Sequence, residues 1–155
     1  MKNDWKKLLL CLAVPLVTGG LATLFSGGMG DYQDLLQPPL SPPGWVFPVV
    51  WTILYLLMGY ASYRVLMSGR PQEEIRQALT LYGIQLLLNF LWPILFFGFS
   101  WYLAAFFLLL ALLAAIAATA RLFSQIDKVA GNLLAPYILW VAFAGYLNLG
   151  VFLLN

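Results

Sequence analysis

The sequence contains no histidine, a single cysteine and few charged residues. Without histidine, imidazole base catalysis and histidine ligation of a metal or of haem iron are excluded. Cys11 alone cannot form an internal disulfide, and basic residues never run beyond the pair Lys6-Lys7, so nothing indicates nucleic-acid binding. Charged residues make up only 9% of the chain, whereas ordinary soluble domains carry about 25%. A soluble domain is therefore excluded, because the chain lacks the polar groups to cover its surface.

Long apolar segments take the place of charge, since hydrophobic residues make up 63% of the chain. A spanning helix needs about 20 largely apolar residues. The charge-free stretch 77–120 is too long for one span, and the cluster Gly98-Phe99-Ser100-Trp101 is typical of a tight turn that divides it. We therefore predict an all-α integral membrane protein, folded as a five-transmembrane-helix bundle in a single domain, residues 1–155. The predicted helices cover residues 8–26, 44–67, 77–98, 101–122 and 129–154.

The first apolar segment has a second interpretation as a cleaved signal peptide, because lysines precede it. No small-residue cleavage site follows cleanly, and the apolar run 8–25 is long for a signal sequence. We therefore expect the segment to be retained as the first span.

All the lysine and arginine residues fall in segments that five alternating spans place on one side of the membrane. They are Lys2, Lys6, Lys7, Arg64, Arg70, Arg76, Arg121 and Lys128. The positive-inside rule then predicts a cytoplasmic N-terminus and a C-terminus outside. The compact loops and this asymmetry favour a bacterial cell membrane, with a mitochondrial outer membrane as the alternative.

The loop 26–44 is rich in glycine and proline, and its two proline pairs forbid a regular helix across them. The segment 32–36 fits one helical turn, whose Tyr32, Leu35 and Leu36 side chains are predicted to face the membrane. Loops of this length in compact chains are commonly functional. A surface connector and a lid over a pocket between the helices both fit this composition.

Three of the predicted helices each carry one stripe of aromatic and amide side chains at helical spacing. The stripes are Trp51, Tyr55, Met58 and Ser62; Gln85, Asn89, Trp92 and Phe96; and Tyr137, Trp140, Ala144 and Asn148. Polar groups inside a membrane tend to face the bundle interior, where they join helices or line a pocket for a flat apolar ligand. Four of the predicted helices also contain a proline, which removes a backbone hydrogen bond: Pro15, Pro48, Pro93 and Pro136. Kinks at prolines can splay helices around a cavity, but proline is also common in membrane helices without that role.

No Asp, Glu, Lys or Arg falls in the core of a predicted span. Ion channels and proton-coupled carriers normally need ionisable groups within the membrane, and hydrolysis needs an acid, a base or a metal ligand at the site. The sequence therefore argues against these activities, and no metal site is expected.

The loop and the three stripes together resemble the TspO/MBR family, which comprises the tryptophan-rich sensory proteins and the translocator proteins or peripheral benzodiazepine receptors. The resemblance covers nearly the whole chain. It is carried by Tyr32, Leu35, Pro38, Pro42-Pro43, Trp45, Phe47, Trp51-Thr52, Leu54-Tyr55, Met58-Gly59 and Ala61; by Gln85, Leu88-Asn89, Trp92 and Phe96-Phe97; and by Leu134, Pro136-Tyr137, Trp140, Phe143-Ala144 and Asn148.

The resemblance implies a membrane receptor or sensor that binds porphyrins and related tetrapyrroles in a pocket closed by the first loop, linked to tetrapyrrole homeostasis or a stress response. It implies no required cofactor, only a porphyrin or haem-type ligand. The ligand-binding residues that it implies are Tyr32, Trp51, Tyr55, Asn89, Trp92, Trp140, Ala144 and Asn148. The alternatives are a light- and oxygen-dependent porphyrin-degrading enzyme, with Trp51 and Trp140 as redox-active catalytic residues, and a transporter of tetrapyrroles or sterols.

The sequence departs from the family pattern in the loop and at the end of the fifth helix. Gln37 replaces a frequent lysine, and Asp31 and Asp34 would repel porphyrin propionates, so we expect modest porphyrin affinity. Leu149 replaces the tyrosine of the sterol motif and no basic residue follows it, which argues against sterol binding. A homodimer is compatible with this fold, but the third helix lacks the small-xxx-small motif that would place its interface.

Overall fold

A computed structural model describes residues 4–28 and 32–155, apart from the side chain of Gln33; Lys2 and Asp31, used in the predictions above, lie outside the described residues. Its helices are α1 (Asp4–Ser26), α2 (Val46–Leu66), α3 (Gln72–Pro93), α4 (Tyr102–Ile126), α5 (Lys128–Leu133) and α6 (Ala135–Leu154). Across the described ranges, five helical segments are long and apolar enough to span a membrane, the fifth formed by α5 and α6 together. The predicted all-α fold with five transmembrane helices is confirmed.

The helices extend beyond the apolar runs that predicted them. α1 begins at Asp4 rather than at residue 8, and α3 begins at Gln72 rather than at residue 77. Glu73 and Glu74 occupy the first turn of α3, where carboxylates interact favourably with the positive end of the helix dipole. The apolar run therefore marks the part of a helix that suits the membrane, and polar turns continue the helix outside it.

The turn between the third and fourth spans lies where the sequence predicts it. Beyond α3 the chain continues as a π-helical segment, Ile94–Gly98, after which the Phe99 N–H donates to the Ile94 carbonyl at 3.0 Å. Ser100 then adopts a left-handed conformation with φ of 57°, and α4 begins at Tyr102. The wider π turn changes the helical phase just before the chain reverses.

Two of the four prolines do not remove a helical hydrogen bond, although the sequence predicts that they do. Pro48 is the third residue of α2 and Pro136 is the second residue of α6, so each stands in a first turn whose N–H groups have no helical partner. The other two prolines lie within α1 and at the end of α3. The fifth span is interrupted before its proline, at Leu134, whose N–H donates to the Gly131 carbonyl at 3.1 Å.

Close packing of α1 on α2 depends on glycine. Gly59 faces the backbone of α1, and a Cβ at this position would lie 2.7 Å from the carbonyl oxygen of Cys11. Gly19 of α1 lies directly against the ring of Tyr55. The two helices therefore approach each other closely at both glycines. The main core is built from buried side chains of α2, α3, α4 and α6, among them Met58, Ala78, Leu112, Phe123 and Val141.

One end of the bundle, the predicted cytoplasmic end, is held by charged groups. Arg64 Nε donates to Asp127 Oδ2 at 2.8 Å, and Asp127 Oδ1 accepts the Val129 N–H at 2.9 Å. The Arg70 guanidinium donates to the Gln125 carbonyl at 2.6 Å. These contacts tie the end of α2 and the turn that follows it to the junction of α4 and α5. The side of the membrane on which this end lies stays a prediction.

Candidate functional site

The loop between α1 and α2 is fixed to α6. The side chain of Asn155 pairs with the backbone of Leu36, accepting its N–H at 3.2 Å and donating to its carbonyl at 2.8 Å. The Tyr146 hydroxyl donates to the Pro39 carbonyl at 2.7 Å. The described part of the loop therefore covers the end of the bundle that lies opposite the ion pairs.

Short-range contacts hold the shape of this loop. The Gln37 side chain donates to the Tyr32 carbonyl at 3.1 Å, and the Ser41 hydroxyl donates to the Pro38 carbonyl at 2.7 Å. Pro38 is buried against Gly150, where a Cβ would lie 2.5 Å from Pro38 Cγ. A glycine at position 150 is thus what allows the loop to approach α6 so closely.

Tyr32 lies in a 3-10 turn of the loop and is only 4% exposed. Its ring packs edge-on against Phe47 and Phe97, with centroid distances of 5.6 and 5.9 Å, and against Phe96 at 6.3 Å. The prediction that Tyr32 faces the membrane is therefore wrong, whereas Leu36 does point outward. The ring packs instead against aromatic side chains of α2 and of the segment that follows α3, and these contacts bury it inside the bundle.

A cavity of about 300 Å³, here called the main cavity, lies between α1, α2 and α3 towards the loop. It is lined by Gly19, Ala22, Thr23, Ser26, Gly28, Phe47, Pro48, Trp51, Tyr55, Asn89, Trp92, Pro93 and Phe97. Four of the predicted ligand-binding residues meet here: Trp51, Tyr55, Asn89 and Trp92. The walls are aromatic faces and small residues with one amide, and none of these residues is charged.

A much smaller space of about 20 Å³, here called the small void, lies on the other side of an aromatic wall. Tyr32, Ala144 and Asn148, three more of the predicted residues, line the small void and are absent from the lining of the main cavity. Three residues line both spaces: Phe47, Trp92 and Phe97. The predicted site is therefore divided in two by these shared side chains.

Trp140 is the predicted residue that the structure places outside both spaces. It lines an open groove of about 370 Å³ between α2 and α6, whose neighbours Ile53 and Leu139 are exposed on the outer surface. Its ring packs on Phe47 at a centroid distance of 5.9 Å, and its buried N–H has no hydrogen-bond partner among the described residues. Trp140 thus backs the aromatic wall from the lipid-facing side of the bundle.

A chain of hydrogen bonds runs from the main cavity into the middle of the bundle. The Tyr55 hydroxyl donates to Asn89 Oδ1 at 3.0 Å, Asn89 Nδ2 donates to the Tyr137 hydroxyl at 2.7 Å, and Tyr137 donates to Gln85 Oε1 at 2.7 Å. Both amide atoms of Asn89 therefore have partners inside the protein. The amide stripe of α3 joins three helices, as the interhelical interpretation of the stripes predicts.

A second polar contact fixes the aromatic wall. Trp92 Nε1 donates to Asn148 Oδ1 at 2.9 Å, and Asn148 Nδ2 donates to the Tyr102 carbonyl at 2.8 Å. The Trp92 ring also stacks on Phe96 at a centroid distance of 5.2 Å. Trp92 is thereby held in one orientation by α6 and by the start of α4.

Sequence reasoning missed several residues of the site. Phe47 and Phe97 form part of the wall between the main cavity and the small void. The sequence identified them only as apolar members of the family motif, with no indication that they line a cavity. Gly19 lines the main cavity and lies so close to the Tyr55 ring that no side chain would fit between them, but it is not among the predicted ligand-binding residues. No cluster of three or more Cys, Asp or Glu side chains suited to a metal occurs in residues 4–28 and 32–155.

Comparison with known proteins agrees with the motifs. The sequence matches the model of the TspO/MBR family over residues 8–154. The tryptophan-rich protein TspO of Chlorobaculum tepidum is 38% identical, in an alignment that covers 100% of this chain and 99% of that protein. The tryptophan-rich sensory protein of Cereibacter sphaeroides is 37% identical, with coverages of 100% and 95%. The translocator protein of Ovis aries is 39% identical, with coverages of 96% and 89%.

Proposed function

The chain belongs to the TspO/MBR family of integral multi-pass membrane proteins, and from this premise we propose that it is a receptor or sensor that binds a porphyrin or related tetrapyrrole in the main cavity. The observation that carries the proposal is the lining of that cavity. Trp51, Tyr55 and Trp92 offer aromatic surfaces around a space to which none of the described residues contributes a charge, and Asn89 supplies a polar group at its wall. Apolar pockets of this kind with a few convergent polar groups suit flat, largely apolar ligands.

The charges near the loop support only modest affinity for a porphyrin dianion. Within residues 4–28 and 32–155, no lysine or arginine lines the main cavity, and the exposed side chain of Asp34 lies in the loop that covers this end of the bundle. The Gln37 amide donates to the Tyr32 carbonyl instead of presenting a positive charge. Ligand carboxylates would therefore rely on water and on neutral donors, which stabilise an anion less than a guanidinium or an ammonium group does.

The position of Trp140 favours binding over photo-oxidative turnover. A reaction that uses both Trp51 and Trp140 needs both indoles beside one ligand, whereas Phe47 stands between the Trp140 ring and the main cavity. Transport is the weaker alternative, because no acid or base among the described residues lines the main cavity, where it could couple movement to an ion gradient.

The proposal is tested by titrating the purified protein in nanodiscs with protoporphyrin IX, in the dark. Binding is followed by the porphyrin absorption band, so that loss of a tryptophan is not mistaken for loss of signal. We expect saturable binding that weakens in Trp51→Phe and is unchanged in Trp101→Phe, whose indole is 57% exposed away from the cavity. Absence of saturable binding to the unmodified protein would overturn the proposal.

Illumination of the same samples separates the alternatives. A receptor leaves the porphyrin spectrum unchanged apart from the bleaching seen without protein. Protein-dependent loss of the porphyrin band, well above that of free porphyrin in empty nanodiscs and abolished in Trp51→Phe, would favour the degrading enzyme instead.

A further inference from the structure

The hydrogen bonds that run from the main cavity into the bundle, here called the polar chain, join Tyr55, Asn89, Tyr137 and Gln85 in that order. Every bond points away from the cavity, and the last one is donated by the Tyr137 hydroxyl to Gln85 Oε1. This direction leaves Gln85 Nε2, in a residue only 1% exposed, without a hydrogen-bond partner among the described residues. An unpartnered amide N–H in the interior of a membrane protein is costly.

The same heavy atoms allow the polar chain to point the other way. A side-chain amide turned by 180° exchanges its oxygen and nitrogen, and a tyrosine hydroxyl both donates and accepts. In the reversed chain, Gln85 Nε2 donates to the Tyr137 hydroxyl, which donates to Asn89 Oδ1. Asn89 Nδ2 in turn donates to the Tyr55 hydroxyl oxygen. The three donor–acceptor distances of 3.0, 2.7 and 2.7 Å suit either direction.

The inner end of the polar chain favours the reversed direction. Gln85 Nε2 gains Tyr137 as its acceptor, and the Gln85 carbonyl oxygen takes over the unpartnered position. That oxygen is an acceptor one helical turn from Tyr82, whose buried hydroxyl also lacks a partner among the described residues. Buried N–H groups without partners are rarer in proteins than under-satisfied carbonyl oxygens, so reversal relieves the more costly defect.

The outer end of the polar chain opposes reversal unless an acceptor enters the main cavity. Reversal frees the O–H of Tyr55, which then needs an acceptor other than Asn89. Tyr55 lines the main cavity beside Gly19, where a Cβ would lie 3.0 Å from the Tyr55 hydroxyl oxygen, so the glycine leaves that hydroxyl uncovered. One donor lacks a partner in either direction, and an acceptor on a ligand decides between the two directions.

We propose that the polar chain has two directions, and that a ligand in the main cavity selects the reversed one by accepting a hydrogen bond from Tyr55. The class of ligand is a planar, largely apolar molecule with a ketone, ester or carboxylate oxygen or an unprotonated ring nitrogen. Tyr55 determines specificity for that acceptor, and the reversal carries the presence of the ligand to Gln85 inside the bundle. This inference rests on the proposed function, since it concerns what the same cavity recognises.

The first test compares two three-ring molecules that differ in one acceptor, 9-fluorenone with a carbonyl group and fluorene without one. Equilibrium dialysis measures their binding to the protein in nanodiscs, corrected for partitioning into empty nanodiscs. A neutral hydrogen bond corresponds to about two- to tenfold in affinity, so 9-fluorenone should bind more tightly by that factor. Tyr55→Phe should abolish the preference. Tyr60→Phe, which removes an exposed hydroxyl of the same helix that contacts Arg64, is the matched control and should keep it.

A second test follows the inner end of the polar chain by nuclear magnetic resonance of the side-chain amides. The Gln85 amide resonance, assigned by its absence in Gln85→Leu, should move when 9-fluorenone binds and stay in place when fluorene binds, because Nε2 gains an acceptor. Tyr137→Phe interrupts the polar chain, so it should keep the preference for 9-fluorenone and lose the Gln85 response.

The carbonyl stretching band of bound 9-fluorenone gives a measurement that needs no variant. In the unmodified protein it should lie at lower wavenumber than in empty nanodiscs, because the carbonyl accepts a hydrogen bond. Thermal denaturation verifies that each variant is folded, and the band replaces the affinity comparison if Tyr55→Phe does not fold.

The outcomes separate this inference from the proposed function. Equal affinities for the two probes, a preference that survives Tyr55→Phe, or a Gln85 resonance that does not respond to 9-fluorenone would each overturn the reversal, and the proposed function would still stand if protoporphyrin IX binds. If the reversal is observed and protoporphyrin IX does not bind, the inference stands and the proposed function fails. If neither probe nor porphyrin binds, both are overturned.

Discussion

The Tyr137 hydroxyl lies 2.7 Å from Asn89 Nδ2 and 2.7 Å from Gln85 Oε1, so one tyrosine of α6 serves two amides of α3. Tyr137 is 1% exposed and also meets the Trp51 ring at a centroid distance of 6.2 Å. A wall residue of the main cavity is thereby connected, through one hydroxyl, to the centre of the bundle. The contact explains why an amide lines an otherwise aromatic cavity at low energetic cost: its polar atoms already have partners.

Removal of that hydroxyl tests the importance of the polar chain. Tyr137→Phe leaves Asn89 Nδ2 without its acceptor and Gln85 Oε1 without its donor. We expect the free energy of unfolding to fall by about 1–3 kcal/mol, because buried polar groups lose their partners. Thermal denaturation in detergent measures the change. Tyr146→Phe, which removes an exposed hydrogen bond to the loop, is the control, and equal midpoints for the two variants would contradict the prediction.

Two glycines in neighbouring helices give a matched test of helix packing. Gly59→Ala places a methyl group 2.7 Å from the Cys11 carbonyl oxygen, so α1 must move, and overpacking of this kind costs about 1–3 kcal/mol. Gly83→Ala meets nothing within 4 Å and improves helix propensity by up to about 1 kcal/mol. Thermal midpoints of the two variants should therefore shift in opposite directions. A Gly59→Ala variant as stable as Gly83→Ala would show that α1 is not packed on α2 as described.

The ion pair at the opposite end of the bundle predicts acid sensitivity. Burial acts to raise the pKa of Asp127, but hydrogen bonds from Arg64 and from the Val129 N–H outweigh it, so the pKa lies below its usual value of 3.8. A lowered folded-state pKa contributes stability that is complete above the unfolded-state pKa and is lost as the pH falls through the folded-state pKa. We therefore expect the thermal midpoint to decline below about pH 4.

Asp127→Asn isolates the charge in this measurement. Asparagine caps a helix about as well as aspartate does, so the variant keeps the cap of α5 but loses the attraction to Arg64. Its midpoint should be lower than that of the unmodified protein at neutral pH and should depend less on pH in the acid range. An unchanged acid response in Asp127→Asn would assign the sensitivity to other carboxylates.

The charge argument about the loop is tested by Gln37→Lys. The substitution places a cation beside Tyr32 at the mouth of the bundle, and an exposed ion pair with a ligand carboxylate is worth about 0.2–1 kcal/mol. We expect protoporphyrin IX to bind up to about fivefold more tightly at low salt, with the gain lost at high salt. The dimethyl ester of the same porphyrin, which lacks the carboxylates, should show no gain. Equal affinity of both proteins for the free acid would reject the argument.

Much of the fold follows from hydropathy and helical period. The sequence predicts the five spans and the turn near Ser100. It also predicts that Gln85, Asn89 and Asn148 point inward, because polar side chains are costly to expose to lipid. It does not predict the direction of Tyr32, since helical spacing in a loop says nothing about what the loop packs on. Its burial depends on Phe47 and Phe97, which come from two other elements.

The division of the candidate site into two spaces could not be predicted from the family motif either. Trp51 and Trp140 both belong to stripes of the family pattern, and a stripe shows only which side of a helix turns inward. Whether two inward residues share one cavity depends on the bulk of the side chains between them. Here Phe47 fills that position, so Trp140 ends up in the groove between α2 and α6.

The attachment of the loop to α6 has a thermodynamic consequence. The hydrogen bonds of Leu36 with Asn155, and of Pro39 with Tyr146, are exposed, so water replaces them at little net free energy when the loop opens. What opening does expose is apolar surface, chiefly that of Tyr32 and Pro38. Hydration of such surface raises the heat capacity, so loop opening is an event of positive heat-capacity change. The free energy of loop opening is therefore expected to follow a curved dependence on temperature.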